Sequence, residues 1–271
     1  MRATSKASFE AASARWEPVL ARSGERALEF GKQLYELSDI IEGNVSLSRA
    51  LTDPSRSGED KAALVDRVFR GKVADEVADV VVGLVQARWS APANLAHALE
   101  VLAVDAVLAA AQARGALVTV EDELFRFGRL LVAERDLRLT LADQEAAVGR
   151  RLALVDALLA GRVQPETKLF VERSVSTLRA RSLSSALHSI GERTAERRSR
   201  LVATVLAAAP LTESQVERLK EILERAYGRG VQVNVGVDES LIGGVRIMVG
   251  SQVVDASMLA RLDEARRRLA S

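Results

Sequence analysis

Apolar residues recur at helical spacing along most of the chain. One such set falls near a single helix face in the segment 28–41: Leu28, Leu34, Leu37 and Ile41. Alternation of apolar and polar residues with a period of two, which is typical of a strand, occurs after residue 200 in VQVNVGV. The pattern predicts a mostly α protein with a small α+β domain near its C-terminal end.

The helical part contains an internal repeat. Residues 47–73 align without a gap to residues 137–163, at an offset of 90 positions. Pairs such as Leu51 and Leu141, or Asp66 and Asp156, are identical across this offset. A period this long is unlike the 20–50 residues of solenoid repeats. We therefore predict two copies of one helical domain.

Capping residues suggest where the helices of each copy begin and end. Gly71 and Gly161 are placed to end helices, and Pro54 and Pro165 to begin them. The first copy is expected to stop around Gly115, and the acidic residues 121–123 suit the first turn of the next helix. These signals predict a helical bundle in residues 1–116 and a second, duplicated bundle in residues 117–200.

Residues 201–271 differ in character from the bundles. The apolar run LVATVLAAAPL predicts a strand, and Thr212 with Gln215 predicts a capping box at the start of the following helix. An apolar stripe is expected on that helix: Val216, Leu219, Ile222, Leu223 and Ala226. Together with the later strands and a last helix, the segment predicts a βαββα unit.

Composition limits the possible functions. Basic and acidic residues number 38 and 37, so the net charge is only +1, whereas nucleic-acid-binding proteins are usually lopsidedly basic. The chain has no cysteine, which excludes disulfides and thiolate metal sites. The N-terminus lacks the apolar region of a signal peptide, and no apolar run approaches the length of a membrane-spanning helix. We expect a protein that meets a membrane only through partners.

The glycine-rich stretch LIGGVRIMVGSQVVDASMLARL could be a phosphate loop or a hairpin. A phosphate loop requires a lysine and successive backbone N–H groups, and this stretch contains no lysine. A bend at Gly243 and Gly244 followed by a hairpin is the better interpretation. Since no catalytic or metal-binding motif is found elsewhere, we expect no enzymatic activity and no cofactor.

The same stretch, extended to residue 269, resembles the C-terminal signature of the δ subunit of F-type ATP synthases, the oligomycin-sensitivity-conferring protein family. Six residues match that signature: Gly243, Gly244, Asp255, Ser257, Arg261 and Leu262. The helical copies are similar to the N-terminal six-helix domain of the family. Ordinary members carry one such domain, so the chain resembles the longer actinobacterial form in which it is duplicated.

The resemblance implies a stator. In the family, the helical domain binds the N-terminal segments of the α subunits, and the C-terminal domain holds the b subunit, so that the catalytic head does not turn with the rotor. A groove between the first and fifth helices receives the α segment, which implies these residues here: Phe9, Ala12, Trp16, Val77, Val81 and Leu84. The implied location is the cytoplasmic face of the bacterial plasma membrane, as a peripheral protein.

Alternatives of other classes are a free helical adaptor, an arginine-rich RNA-binding helical protein, and, more weakly, a nucleotidase. We expect the second copy to be the added module, because the first keeps an N-terminal helix with apolar residues at helical spacing. The sequence leaves open whether the stalk partner is a plain or a fused b chain.

Overall fold

The computed structural model describes residues 3–177, 182–199, 201–227, 230–238, 241, 244–249 and 252–255. These residues form two compact units, 1–194 and 195–271. As the sequence predicted, the first is helical and the second contains a small sheet. The first unit holds α1 (Ala3–Ser23), α2 (Ala27–Gly43), α3 (Val45–Thr52), α4 (Gly58–Phe69), α5 (Asp75–Gln86), α6 (Pro92–Ala113), α7 (Leu117–Ala133), α8 (Arg135–Ala142), α9 (Val148–Leu159) and α10 (Pro165–Ser176). The helix α11 (Leu183–Ser199) follows and runs into the second unit.

The repeat found in the sequence is also a repeat of structure. Each boundary of α2, α3, α4 and α5 recurs 90 residues later in α7, α8, α9 and α10. The predicted glycines Gly71 and Gly161 follow α4 and α9 with φ angles of 80° and 69°. Hydrogen bonds recur too, because the amide nitrogen of Ala74 donates to Gln33 Oε1 at 2.9 Å and that of Gln164 to Glu123 Oε2 at 2.9 Å.

The helix α6 is shared by the two copies: it is the last helix of the first copy and the counterpart of α1 in the second. Shifting α1 by 90 positions places it on residues 93–113, which are α6. The same α6 also closes the first copy by packing against α2. One continuous core extends from Ala12 to Leu187. The predicted division at residue 116 therefore describes the repeat, while the structure places residues 1–194 in a single unit. Below, the first copy is α1–α6 and the second copy is α6–α11.

Because α6 packs on several neighbours, it is apolar around much of its circumference. Among the described residues it is the one helix long and apolar enough to cross a membrane, in contrast to the expectation from the sequence. Of its most apolar 18-residue window, 67% is buried inside the protein. A core helix has this composition for the same reason as a spanning helix, namely that both are surrounded by apolar groups.

The contact between α2 and α6 depends on Gly31. A Cβ atom at this position would lie 2.5 Å from Val107 Cγ2 and 3.1 Å from the backbone oxygen of Ala103. The Ala103 oxygen can move only with the backbone of α6, and Val107 Cγ2 can move only by leaving the rotamer that a β-branched residue prefers in a helix, so the close approach of the two helices depends on the missing side chain at residue 31.

We expect Gly31→Ala to lower the free energy of unfolding by about 1–3 kcal/mol, because it overpacks this contact. The matched control is Gly128→Ala on α7, where an added Cβ would meet nothing within 4 Å. That change should raise stability by up to about 1 kcal/mol through helix propensity. Urea unfolding of the whole chain measures both. A stabilised Gly31→Ala variant would contradict the close approach of α2 and α6.

Two of the predicted helix starts are wrong. Pro54 lies in the turn before α4, which begins at Gly58, whereas Pro165 is the first residue of α10 as predicted. The acidic residues 121–123 lie beyond the first turn of α7, because that helix already begins at Leu117, directly after Gly115 with its φ of 69°. The first turn of α7 is therefore apolar.

The second unit is a mixed sheet with one described helix. It contains β1 (Leu201–Ala207), α12 (Glu213–Tyr227), β2 (Val231–Val237), β3 (Val245–Val249) and β4 (Gln252–Asp255). The strand order is β2-β1-β3-β4, with β1 parallel to β2 and antiparallel to β3. The hairpin predicted after Gly244 is confirmed as β3 and β4, so the βαββα description, which counts three strands, has one too few. Its last helix lies outside the described residues.

The helix α12 begins as predicted. The amide nitrogen of Thr212 donates to Gln215 Oε1 at 2.8 Å, and the amide nitrogen of Gln215 donates to Thr212 Oγ1 at 3.3 Å, which is a capping box. Its predicted apolar stripe is only partly buried. Leu223 joins the core with Val205, while Ile222 and Ala226 are exposed, because the buried face is narrower than the stripe.

Candidate functional site

The predicted groove between the first and fifth helices lies where α1 packs on α5. Five of the six residues assigned to it are buried core residues: Ala12, Trp16, Val77, Val81 and Leu84. The indole Nε1 of Trp16 donates to the backbone oxygen of Leu102 at 3.2 Å, which fixes α1 against α6. Phe9 is half-buried and is the only one of the six that reaches the surface.

Hydroxyl groups fix the start of α1 beside the end of α5. Ser5 Oγ accepts a hydrogen bond from the backbone nitrogen of Ser90 at 2.9 Å, and Ser8 Oγ donates to the backbone oxygen of Arg88 at 2.8 Å. These bonds hold the half-buried Phe9 at a defined place along the edge between the two helices.

The two copies meet at a cluster centred on Arg173 of α10. Its guanidinium donates to both carboxylate oxygens of Asp39 on α2, at 2.6 and 2.9 Å, and to Glu100 on α6. It also lies over the ring of Tyr35, with Cζ 4.7 Å from the ring centroid. Arg173 therefore joins the second copy to two helices of the first.

The surroundings of Arg173 favour its charged form. Burial opposes the charge of Arg173, but the hydrogen bonds that it donates to Asp39 and Glu100 outweigh this effect and keep its pKa above the ordinary value. Burial, and then the negative charge of Glu100, raise the pKa of the Tyr35 phenol. The cluster thus holds a guanidinium, two carboxylates and a neutral phenol.

Two further arginine–carboxylate pairs join α6, which both copies share, to α10 and α11 of the second copy. Arg193 on α11 donates to both oxygens of the buried Asp105, at 2.6 and 2.7 Å. Arg114, which follows α6, donates to the fully buried Glu166 of α10 at 2.6 Å. Sequence analysis missed this junction, although the acidic residues Glu100 and Asp105 inside an apolar helix were a signal for it.

The predicted C-terminal motif is only partly within the described residues. Gly244 precedes β3 with a φ of 84°, as its proposed bend requires, and its backbone oxygen accepts from the nitrogen of Ala208 at 3.4 Å. Asp255 ends β4 and is paired in the ladder with Arg246. Four members lie outside the described residues: Gly243, Ser257, Arg261 and Leu262.

In the described parts of the chain, no group of three or more His, Asp or Glu side chains is arranged to hold a metal ion. The described residues offer an edge between α1 and α5 at which Phe9 is half-buried, a junction of arginine–carboxylate pairs between the copies, and a small sheet unit.

Comparison with known proteins identifies the family. The model of the ATP synthase delta (OSCP) subunit matches residues 104–269. An ATP synthase subunit delta from Beutenbergia cavernae is 52% identical over 100% of both chains. Proteins of the same name from Kineococcus radiotolerans and Streptomyces griseus are 43% and 39% identical, over at least 96% of each chain. This chain therefore belongs to the ATP synthase delta (OSCP) subunit family, in its long actinobacterial form.

Proposed function

We propose that the chain is the peripheral-stalk subunit that links the α subunits of the catalytic head to the b subunit and keeps the head from turning with the rotor. The observation that carries this is full-length similarity to proteins named ATP synthase subunit delta. The delta subunit is a structural, non-catalytic part of its complex. Its membrane association comes through that complex, and we place it on the cytoplasmic face.

The helical unit has the rigidity that a stator needs. The cluster of Arg173 and the pairs Arg193–Asp105 and Arg114–Glu166 hold α10 and α11 on helices of the first copy. In each pair one side chain is at most 10% exposed, and bidentate pairs of this kind fix orientation, because a displaced partner leaves a charge without its counter-charge. A force applied to one copy is therefore passed to the other without a flexible linker between them.

We assign the binding of the α segments to the first copy. In the second copy, the counterparts of Phe9, Ala12 and Trp16 lie on α6 and are fully buried: Leu99, Leu102 and Ala106. Only the first copy leaves this edge partly open, at Phe9. The family model matches the second copy and the C-terminal unit, so the match itself gives no support for treating the second copy as the added one.

Phe9→Glu in the whole chain is expected to weaken binding of a peptide from the α-subunit N-terminus by at least about tenfold, because it places a charge at an apolar contact. Leu139→Glu is the matched control, since Leu139 is 53% exposed on α8 of the second copy. Calorimetric titration measures both affinities. If Leu139→Glu weakens binding and Phe9→Glu does not, the assignment to the first copy is wrong.

A pull-down tests the function as a whole. The tagged chain is expected to bring down α and b subunits from detergent-solubilised membranes. A free adaptor would bring down neither, and an RNA-binding protein would bring down nuclease-sensitive material. Recovery of the chain without α and b, under conditions in which the enzyme stays assembled, would contradict the stator assignment.

A further inference from the structure

A buried cation lies at the same place on the fourth helix of each copy. Lys61 on α4 is 4% exposed, and Arg151, ninety residues later on α9, is 7% exposed. In the parts of the chain that the structure describes, neither side chain forms an ion pair. Burial lowers the pKa of Lys61, and the charge of Asp53 offsets this effect only in part. A buried charge without a counter-charge is costly, so another polar group must offset it.

In the second copy, the end of a helix offsets the buried charge. The Nη1 atom of Arg151 donates to the backbone oxygen of Val175 at 2.8 Å, and this bond is buried. Val175 lies in the last turn of α10, where the carbonyl oxygens have no partner within the helix and form the negative end of the helix dipole. Among the described residues, the buried Nε atom of Arg151 has no hydrogen-bond partner. The bond to α10 is therefore kept although another donor of the same side chain stays unsatisfied.

The last turn of α10 also carries Arg173, the centre of the junction between the copies. Its backbone oxygen accepts hydrogen bonds from the backbone nitrogen and the hydroxyl of Thr177, at 3.0 and 2.7 Å. Its guanidinium is bonded to Asp39 of α2 and lies over the ring of Tyr35. A shift of this turn would therefore shift the guanidinium relative to α2, and the bond from α9 to Val175 opposes such a shift.

We propose that Arg151 is a positioning residue for the junction, because its bond to Val175 fixes the turn that presents Arg173 to the first copy. The inference rests on the proposed function only in that a stator needs a stiff junction. The internal repeat supplies a matched control. Lys61 is the equivalent buried cation of the first copy, but there the counterpart of Arg173 is Gly83, which has no side chain with which to form a junction.

Tyr35 reports on the junction, because Arg173 lies over its ring and the chain has only two tyrosines. In the whole chain with ¹³C-labelled tyrosine rings, Tyr227→Phe assigns the two NMR signals, and Arg173→Ala gives the Tyr35 signal without the guanidinium. We expect Arg151→Met to move the Tyr35 signal part of the way to that position. Arg151→Lys should leave the signal near its original place, because lysine is the residue at this place in the first copy. Lys61→Met should not move it.

Urea unfolding of the same variants separates positioning from general loosening. Methionine has no charge, and apolar replacements of buried ions are often tolerated, so we expect Arg151→Met to fold; if it does not, Arg151→Gln takes its place and is held to the same outcomes. A Tyr35 signal that stays in place in this variant would overturn the proposal. So would a signal that Lys61→Met moves as far at an equal loss of stability. The signals are recorded on the isolated chain, so they do not depend on the proposed function, which the pull-down tests separately.

Discussion

Truncation at Glu239 is expected to abolish proton-coupled ATP synthesis while ATP hydrolysis by the head persists. The cut removes β3 and β4, and with them the antiparallel partner of β1 and the buried Ile247. Two strands and α12 remain, which is too little to bury the side of α12 that carries Leu223. Under the proposed stator function, we expect loss of this unit to detach the b subunit, so that the head turns with the rotor.

ATP synthesis in inverted vesicles measures the loss of coupling. Circular dichroism of the isolated chain measures whether the helical unit stays folded. A chain ended after Asp255 retains all four strands and separates loss of the sheet from loss of the residues beyond it. The helical signal of residues 1–194 should survive both cuts, because they form a compact unit with its own core. Normal synthesis with the chain cut at Glu239 would refute the stator function.

Arg173→Ala is expected to lower the free energy of unfolding by about 2–4 kcal/mol, because it leaves carboxylates of the cluster without their counter-charge. The Arg173 side chain is 10% exposed and that of Glu100 is 29% exposed, so water compensates poorly for the lost bonds. Asp39 is 49% exposed and recovers part of its hydration, so the expected loss is about 1 kcal/mol smaller than for a fully buried pair.

The matched control is Arg70→Ala. Arg70 pairs with three aspartates, Asp66, Asp79 and Asp75, at 2.6, 2.8 and 3.6 Å, but all four side chains are at least 37% exposed. Exposed pairs contribute little, so this change should cost less than about 1 kcal/mol. The measurement is the urea concentration at the midpoint of unfolding, compared between the two variants once their m-values are shown to be equal. Equal losses would mean that the cluster around Arg173 is an ordinary surface network.

Local signals in the sequence predicted much of the fold. Gly71 and Gly161 end helices as expected, and the capping box at Thr212 begins α12, because these features depend on residues close together in the chain. The parallel pairing of β1 with β2 and the position of β4 at the sheet edge were not predicted, since strand order depends on contacts between distant residues.

The candidate site was harder to predict, for two physical reasons. Helical spacing marks the apolar face of a helix but does not distinguish a core face, such as that of Val77 and Val81, from the wall of a groove. An internal repeat shows the offset between two copies but not the residue at which a copy begins. The predicted boundary at residue 116 therefore follows α6, although α6 belongs to both copies. Phe125 is 64% exposed while its counterpart Tyr35 is 4% exposed, a difference that depends on packing between distant helices and was not visible in the sequence.

The shared helix has a consequence for how this subunit deforms under load. Two domains on a flexible tether behave as a soft spring, because the tether can bend before either domain is strained. Here the 22 residues of α6 form a continuous rod about 33 Å long, embedded in both copies. Bending one copy against the other requires bending that rod or stripping it from its neighbours. The helical unit is therefore a stiff element, and we expect elastic energy stored in the stalk during rotation to reside elsewhere.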